Sequence, residues 1–337
     1  MTTDRPLEGL RILVTGATGY IGARLAPQVL DQGATLRVLT RDATRTQGRT
    51  WADAAEIVEG DASDRGDVAR ALEGVDVAYY LLHSMDGRGD FVTRDRELAH
   101  TFAEEAARAD VGRLVYMSGL HPPDTELSEH LASRVEVGRI LLDSGVPTAV
   151  LQAAVIIGSG SASFEMLRHL TRRLPIMVAP KWLDNRIQPI AIRDVLHYLT
   201  RAARLPPEAD RTFDIGGPDV LTYREMIETY AAILGLRRRV IVTVPVLTPR
   251  LASHWVGLVT PVPSGIAKPL VGSLVHEVVC HERDLDGLIG PPSAGALSYA
   301  AAIRATVPDR RAAPDQRPEP GTVDPARLTS ADPAWAG

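Results

Sequence analysis

From Leu10 to about Val155 the chain alternates between short β-branched runs and longer stretches in which apolar residues recur every three or four positions. Such runs read as strands buried on both faces. The stretches between them read as helices laid against a sheet, the pattern of βαβ units. The runs predict strands over Arg11 to Thr15, Thr35 to Thr40, Ala55 to Glu59, Val75 to Leu82, Arg113 to Ser118 and Thr148 to Ile157. Between the fourth and fifth of these strands, Glu97 to Arg108 sets Leu98, Phe102 and Ala106 on one helix face, directed at the sheet. The expected fold is α/β, a Rossmann-like doubly wound parallel sheet.

After Gly158 the texture changes. Ser163 to Arg173 is helical in pattern, Gln188 to Ile192 is a short apolar run, and Phe213 to Pro218 ends in the turn signal Gly216-Gly217-Pro218. These pieces predict a smaller C-terminal cap. From Val240 to Val279 the chain is rich in Val, Leu and Pro, with Arg250, His254, Lys268, His276 and Glu277 as its ionisable side chains and prolines that break any long helix. Buried packing of the cap is the plain reading; a lid over a hydrophobic substrate, a partner surface and a membrane-facing patch are the alternatives. The stretch 306–337 is Pro-rich and poor in large apolar groups, which predicts a disordered tail or linker. The expected organisation is thus a dinucleotide-binding Rossmann domain over 1–158, the remaining sheet elements and an apolar substrate cap over 159–305, and the tail over 306–337.

The chemistry concentrates where the first predicted strand ends. Gly16-Ala17-Thr18-Gly19-Tyr20-Ile21-Gly22 stands between a strand and a helix. One glycine allows the tight turn, one lets backbone N–H groups approach a pyrophosphate, and one allows close helix–strand contact, so a dinucleotide would sit on that helix N-terminus. About twenty residues further on, where an acid would take the ribose 2′-hydroxyl of NAD, the chain has Thr40-Arg41-Asp42. Arg41 suits a 2′-phosphate through its planar fork, which favours NADP(H) over NAD(H); the alternative is that Arg41 is solvated and Asp42 takes the ribose. Asp61, followed by Ala62, is placed to accept from the adenine amino group or to cap the helix starting near Arg65.

Composition narrows the classes. Lys and Arg number 37 against 42 Asp and Glu, a formal charge of −5, which provides no basic field for nucleic acid. Cys280 is the one cysteine, so neither an internal disulfide nor a thiolate zinc cluster can form, and a reducing, cytoplasmic setting is expected. The first residues lack the apolar core of an export signal, and no uncharged, proline-free run of roughly 18 apolar residues is present. No metal motif occurs, and no metal is expected.

With these residues in view, the chain resembles the extended and atypical short-chain dehydrogenase/reductases, especially their NmrA-like and complex-I-subunit-like NAD(P)-binding group. The matching pieces are Thr15 to Gly22, Gly60-Asp61, Asp76 to His83, Tyr116-Met117-Ser118-Gly119, Ile190 to Val195 with Asp194, and Phe213 to Pro218. The resemblance implies a Tyr-x-x-x-Lys pair, the tyrosine acting as acid or base and the lysine holding the nicotinamide ribose. The matching segment here is His130-Leu-Ala-Ser133-Arg134, without the tyrosine, and Leu120 stands at the usual catalytic Ser or Thr position with Ser118 nearby. Residues four apart share a helix face, so His130 and Arg134 can face one site. Arg134 can hold ribose hydroxyls but cannot lose its proton, whereas His130 can shuttle one near neutral pH. Tyr80, His83 and Tyr116 near the strand ends are further proton sources, and Leu82, His83, Ser118 and Arg134 are expected on the nicotinamide side.

Two readings follow. One is an NADP(H)-dependent reductase acting on a hydrophobic small molecule with His130, Arg134, Ser118 or Tyr80 in the chemistry. The other is a non-catalytic NAD(P)(H)-binding sensor or scaffold. Membrane association is not favoured but is open through 240–279, the oligomeric state is undetermined, and longer relatives of the resembled group carry a second domain after a linker like the one expected here.

Overall fold

The computed structural model describes residues 6–83, 90–123, 125–244, 259–307, 324–329 and 332–336. Seven parallel strands form the central sheet: β1 (Arg11–Thr15), β2 (Thr35–Thr40), β3 (Glu56–Glu59), β4 (Val77–Tyr80), β5 (Arg113–Gly119), β6 (Thr148–Ala153) and β11 (Arg211–Ile215), in the order β11-β6-β5-β4-β1-β2-β3. All six pairings in this sheet are parallel. The order reverses between β1 and β4, and a crevice at the carboxyl ends of an open sheet opens at such a reversal.

Period-two alternation explains why the central strands read as continuous apolar runs. Ile12 and Val14 of β1, Val77 and Tyr79 of β4, and Val115 and Met117 of β5 enter one core layer. Leu13, Ala78, Tyr80, Leu114 and Tyr116 enter the opposite one. The first layer is covered by α1 (Tyr20–Asp31) and α6 (Ile192–Ala202); the second is covered by α2 (Arg65–Leu72), α3 (Phe91–Arg108) and α4 (Glu129–Leu142). In α3 the stripe is Ala99, Phe102, Ala103 and Ala106, all buried, with Leu98 only half-buried. Each large apolar side chain so enclosed contributes about 1.5–3 kcal/mol.

Three expectations change. The strand expected over Thr148 to Ile157 divides: β6 ends at Ala153, and Ile156–Ile157 forms β7, which pairs with β10 (Ile190–Ala191) outside the main sheet. The break follows from Val155, whose carbonyl accepts from Ile190 N (3.0 Å) and so leaves the ladder of β5. The second change is that Arg211 to Ile215 extends the main sheet beyond β6. The third concerns the expected tail. Residues 324–329 and 332–336 are packed on the domain, Ala326 lying in the core with α1 and α6, while 308–323 lie outside the described residues, as do 245–258 of the Val240 to Val279 run.

The cap is built from α5 (Ala162–Arg173), β8 (Ile176–Pro180), α7 (Tyr223–Ile233), β13 (Val240–Val244) and α8 (Ser264–Ser273), with β9 (Arg186–Ile187) pairing β12 (Leu221–Thr222). The short α9 (Asp284–Ile289) and α10 (Tyr299–Thr306) complete the described helices. Among the described residues no helix is long and apolar enough to cross a membrane.

Candidate functional site

The loop after β1 is shaped by close approach. Gly16 has φ +68°, and a Cβ there would stand 2.6 Å from Leu81 O. At Gly22 a Cβ would stand 2.3 Å from Gly16 O, so the first turn of α1 can press on the loop only with glycine at that position. Gly19 caps α1 without a side-chain bond, and the first turn carries no acid. Its leading N–H groups and the positive end of the helix dipole therefore face outward, as an anion site requires. Thr15 ties the loop to β4: its hydroxyl donates to Tyr79 O (2.9 Å) and accepts from Leu81 N (3.1 Å). Ala17 is buried, Thr18 and Ile21 are half-buried, and the Tyr20 hydroxyl is enclosed without a partner, so burial drives its pKa upward.

Beyond β2, Arg41 is exposed. Asp42 is engaged in its own turn, its Oδ1 accepting from Thr44 N (2.9 Å) and Thr44 Oγ1 (2.5 Å). A cation that the sequence reading overlooked stands closer to the loop. Arg49 Nη2 donates to Thr18 O (3.4 Å), while its Nη1 is enclosed with no partner. Burial and the neighbouring Arg45 charge lower its pKa. A guanidinium with an orphaned buried donor beside an open helix N-terminus is a fitting donor set for a phosphate. The signal in the sequence was the Arg41, Arg45, Arg49 spacing, which is uninformative until the chain folds back over Thr18.

Asp61 Oδ1 accepts from Ser63 N (2.9 Å) and Ser63 Oγ (2.8 Å), an Asx turn, and the residue capping α2 is Asp64, which accepts from Asp67 N (2.9 Å). Asp61 thus remains at the exposed end of β3 beside half-buried Ala62.

At the exits of β4 and β5 the expected residues do gather, in an arrangement that sequence did not specify. His83, after β4, and His130, in the first turn of α4, lie ring against ring, centroids 5.1 Å apart and planes tilted by 44°. His83 Nδ1 lies 3.7 Å from Asp95 Oδ2. His83 Nε2 and His130 Nδ1 are both enclosed without partners. Burial, then the Arg134 charge, pushes His83 down to about 4, and burial, then the neighbouring His83, pushes His130 down to about 3. Both are neutral at pH 7, which corrects the expectation of a histidine that titrates near neutrality. Leu82 is half-buried beside them.

Arg134 reaches back over the Tyr116 ring (5.5 Å from its centroid) and donates from Nη2 to Met117 O. Ser118, buried, donates to Arg134 O at 3.4 Å, so it faces the backbone of α4. Tyr80 lies in the core against Phe102 (5.0 Å) and Tyr116 (5.9 Å), and burial raises its pKa well above the ordinary value. Leu120 is buried in the cap's core.

A cavity of about 480 Å³ opens in the cap. Val155, two residues beyond β6, stands on its wall with Met166, Leu167, Met177, Trp182 and Ile227. Among the described residues, no Asp, Glu, Lys, Arg or His lines it.

The packed C-terminal residues meet the site from the side of α1. Arg24, buried, donates to Pro325 O (2.8 Å), Ser159 O (2.8 Å) and Arg327 O (3.1 Å), and pairs with Asp332 at 2.8 Å. Both partners of that pair are under 5% exposed. Asp332 occupies the space that a side chain at Gly160 would need, its Oδ1 2.6 Å from the ideal Cβ. Trp335 packs on the cluster of Met166, Val262, Ala267 and Val271.

Comparison with known proteins agrees with this geometry. Residues 16–153 match the NAD(P)H-binding family model. The chain is 27% identical over 225 residues to (4-alkanoyl-5-oxo-2,5-dihydrofuran-3-yl)methyl phosphate reductase of Streptomyces griseus, covering 66% of this chain and 74% of that protein. It is 26% identical over 234 residues to ceramide reductase of Caulobacter vibrioides, covering 68% and 72%. In fold it is similar to an NADPH-dependent quinone oxidoreductase of Escherichia coli, with TM-score 0.66 and 18% identity over 87% of this chain and 98% of that one. Loop, sheet order and comparisons agree that residues 16–153 carry an NAD(P)H-binding domain of Rossmann-like fold, similar to the reductases named above.

Proposed function

We propose that the protein is an NADPH-dependent reductase of a hydrophobic small molecule held in the cap. The observation that carries this reading is the uncharged 480 Å³ cavity whose wall includes Val155, just past the end of β6 and on the sheet edge from which the glycine loop also emerges. The alkanoyl furanone phosphate and the ceramide in the relatives' names support the same reaction class.

Each part of the chain has a task in this reading. The amides of Gly16 to Gly22 hold the pyrophosphate. Arg41 and Arg49 pair the 2′-phosphate, while Asp42 Oδ1 is held in its own turn by Thr44. Asp61 meets the adenine, Leu82 and His83 wall the nicotinamide, and Arg134 keeps donors for its ribose, since one bond to Met117 O uses a single N–H of five. When bound there, the reduced nicotinamide supplies a hydride. His130 and His83, held neutral, polarise a carbonyl by hydrogen bonding as a neutral imidazole does. Asp95 orients His83 and stabilises positive charge as a solvent proton passes to the product oxygen.

A second reading, cofactor held without turnover, is favoured by one observation: burial raises the pKa of Tyr80 and Tyr116 and leaves both histidines without a proton to give at neutral pH. Titration with NADPH and NADH by nicotinamide fluorescence, followed by its decay on adding apolar ketones, enones and imines, separates the two. The reductase oxidises NADPH only with a substrate present. Replacing His130→Phe should lower turnover by about 100-fold with NADPH affinity within about twofold; unchanged turnover removes His130 from the chemistry.

A further inference from the structure

β8, which walls the cap cavity, forms a two-stranded ribbon with β13 that carries an exposed apolar face. β8 and β13 pair in parallel, Ile176 opposite Val240 and Val178 opposite Val242. Successive side chains of a strand point to opposite faces. Met177 and Ala179 are 4% and 5% exposed; Ile176, Val178, Val240 and Val242 share the other face of the ribbon, 63%, 51%, 53% and 48% exposed, and Ile176 and Val178 also stand at the cavity, among its lining residues. The other exposed large apolar side chains among the described residues, Val220, Leu288 and Leu328, do not lie on this ribbon.

Among the described residues, cations stand at both ends of this face. Val240 N donates to Pro175 O (3.0 Å), which brings Arg237 and Arg238 beside Arg172 and Arg173 at the end of α5. All four are exposed, and none forms an ion pair with an acid among the described residues. Lys181, exposed, follows the other end of β8. The acid of this region, Asp184, is taken by Arg224 (2.7 Å). A second copy of the chain laid on this face would set cations against cations at both ends of the ribbon, which disfavours a symmetric dimer.

We propose that Ile176, Val178, Val240 and Val242, bordered by Arg172, Arg173, Arg237 and Arg238, form a docking surface for anionic phospholipid bilayers. β-branched side chains of this kind sit at the acyl boundary while arginines meet the headgroups, and a polybasic border confers preference for anionic lipid. The net charge of −5 leaves the remaining surface acidic on balance, so such a membrane also orients the molecule, ribbon down. Ile176 and Val178 belong at once to this surface and to the cavity lining, so an aliphatic substrate enters from the bilayer without crossing water; this last step alone rests on the reductase reading.

The test is flotation of the full chain with vesicles of phosphatidylcholine, or of phosphatidylcholine with about 30 mol % phosphatidylglycerol. Co-flotation is expected with the anionic vesicles only, and about 0.5 M salt should reduce it at least tenfold by screening. The pairs Val240→Ser with Val242→Ser, and Arg237→Gln with Arg238→Gln, should each lower partitioning about tenfold while NADPH titration is unchanged. Equal flotation with neutral vesicles, no flotation, insensitivity to both pairs, or a dimer in sedimentation that the serine pair dissolves overturns the proposal. Failure of the wild-type chain to bind NADPH would overturn the reductase reading and leave the docking result standing.

Discussion

The glycine loop and the cap cavity open on the same edge of the sheet, but one is made by backbone and the other by side chains brought from far apart. At the loop, positions six residues apart do the work, because what matters is the absence of Cβ atoms at Gly16 and Gly22 and the direction of a few N–H groups. The cavity draws on Val155, α5, β8, α7 and α8, and any one of its residues is replaceable by another of similar volume. A backbone site fails completely when one atom is added. A side-chain site changes its preference before it fails.

That contrast orders the expected effects. Gly22→Ala puts a methyl against Gly16 O and should reduce NADPH affinity by about 100-fold or more, read by fluorescence titration on protein that circular dichroism shows to be folded. Asp332→Ala leaves Arg24 buried without its carboxylate and should cost about 3 kcal/mol in urea unfolding, the low end for a broken buried pair because carbonyl oxygens remain on the guanidinium. No loss of stability would show that the C-terminal residues do not dock in solution. Arg49→Ala should weaken NADPH by about 1.5–3 kcal/mol and NADH by clearly less; equal losses would assign Arg49 to the pyrophosphate in place of the 2′-phosphate.

The cap should respond by selection. Ile227→Trp narrows the cavity and should raise KM for the longest substrates by about tenfold with the NADPH Kd unchanged. A parallel loss of NADPH affinity would mean that the two regions are not separable.

The smallest effect is on pH. His83 and His130 have folded-state pKa values of about 4 and 3 against 6.5 unfolded, so the unfolded chain binds more protons in between. Stability is therefore full above pH 6.5 and is lost as pH falls toward 4, with a slope of up to about 1.4 kcal/mol per pH unit for each proton taken up. His130→Phe should flatten that slope by about one proton; an unchanged slope would mean that the two rings are hydrated.

The same contrast governs what could be read in advance. β1 and β2 fall on their predicted residues because strands buried on both faces are encoded by local apolar runs. The strand over Thr148 to Ile157 was read too long, since the run continues through Val155 although its carbonyl is turned toward Ile190. Arg41 was nominated at the adenosine end and Arg49 was not, because Arg49 reaches Thr18 only through the turn that Asp42 and Thr44 build. His130 and Arg134 were paired by helix spacing; that His130 would be buried against His83, and so held neutral, required α4 to be packed beside the end of β4.

By itself, then, the sequence determined the parallel α/β sheet, the glycine loop and the sort of ligand that a loop of that kind accepts, because these depend on neighbours in the chain and on the φ angles only glycine adopts. The tertiary structure decided the protonation of the histidines, the place of Arg49, the uncharged cavity and the docking of Asp332 on Arg24, because desolvation, charge proximity and enclosed volume arise between residues that the chain separates by tens to hundreds of positions.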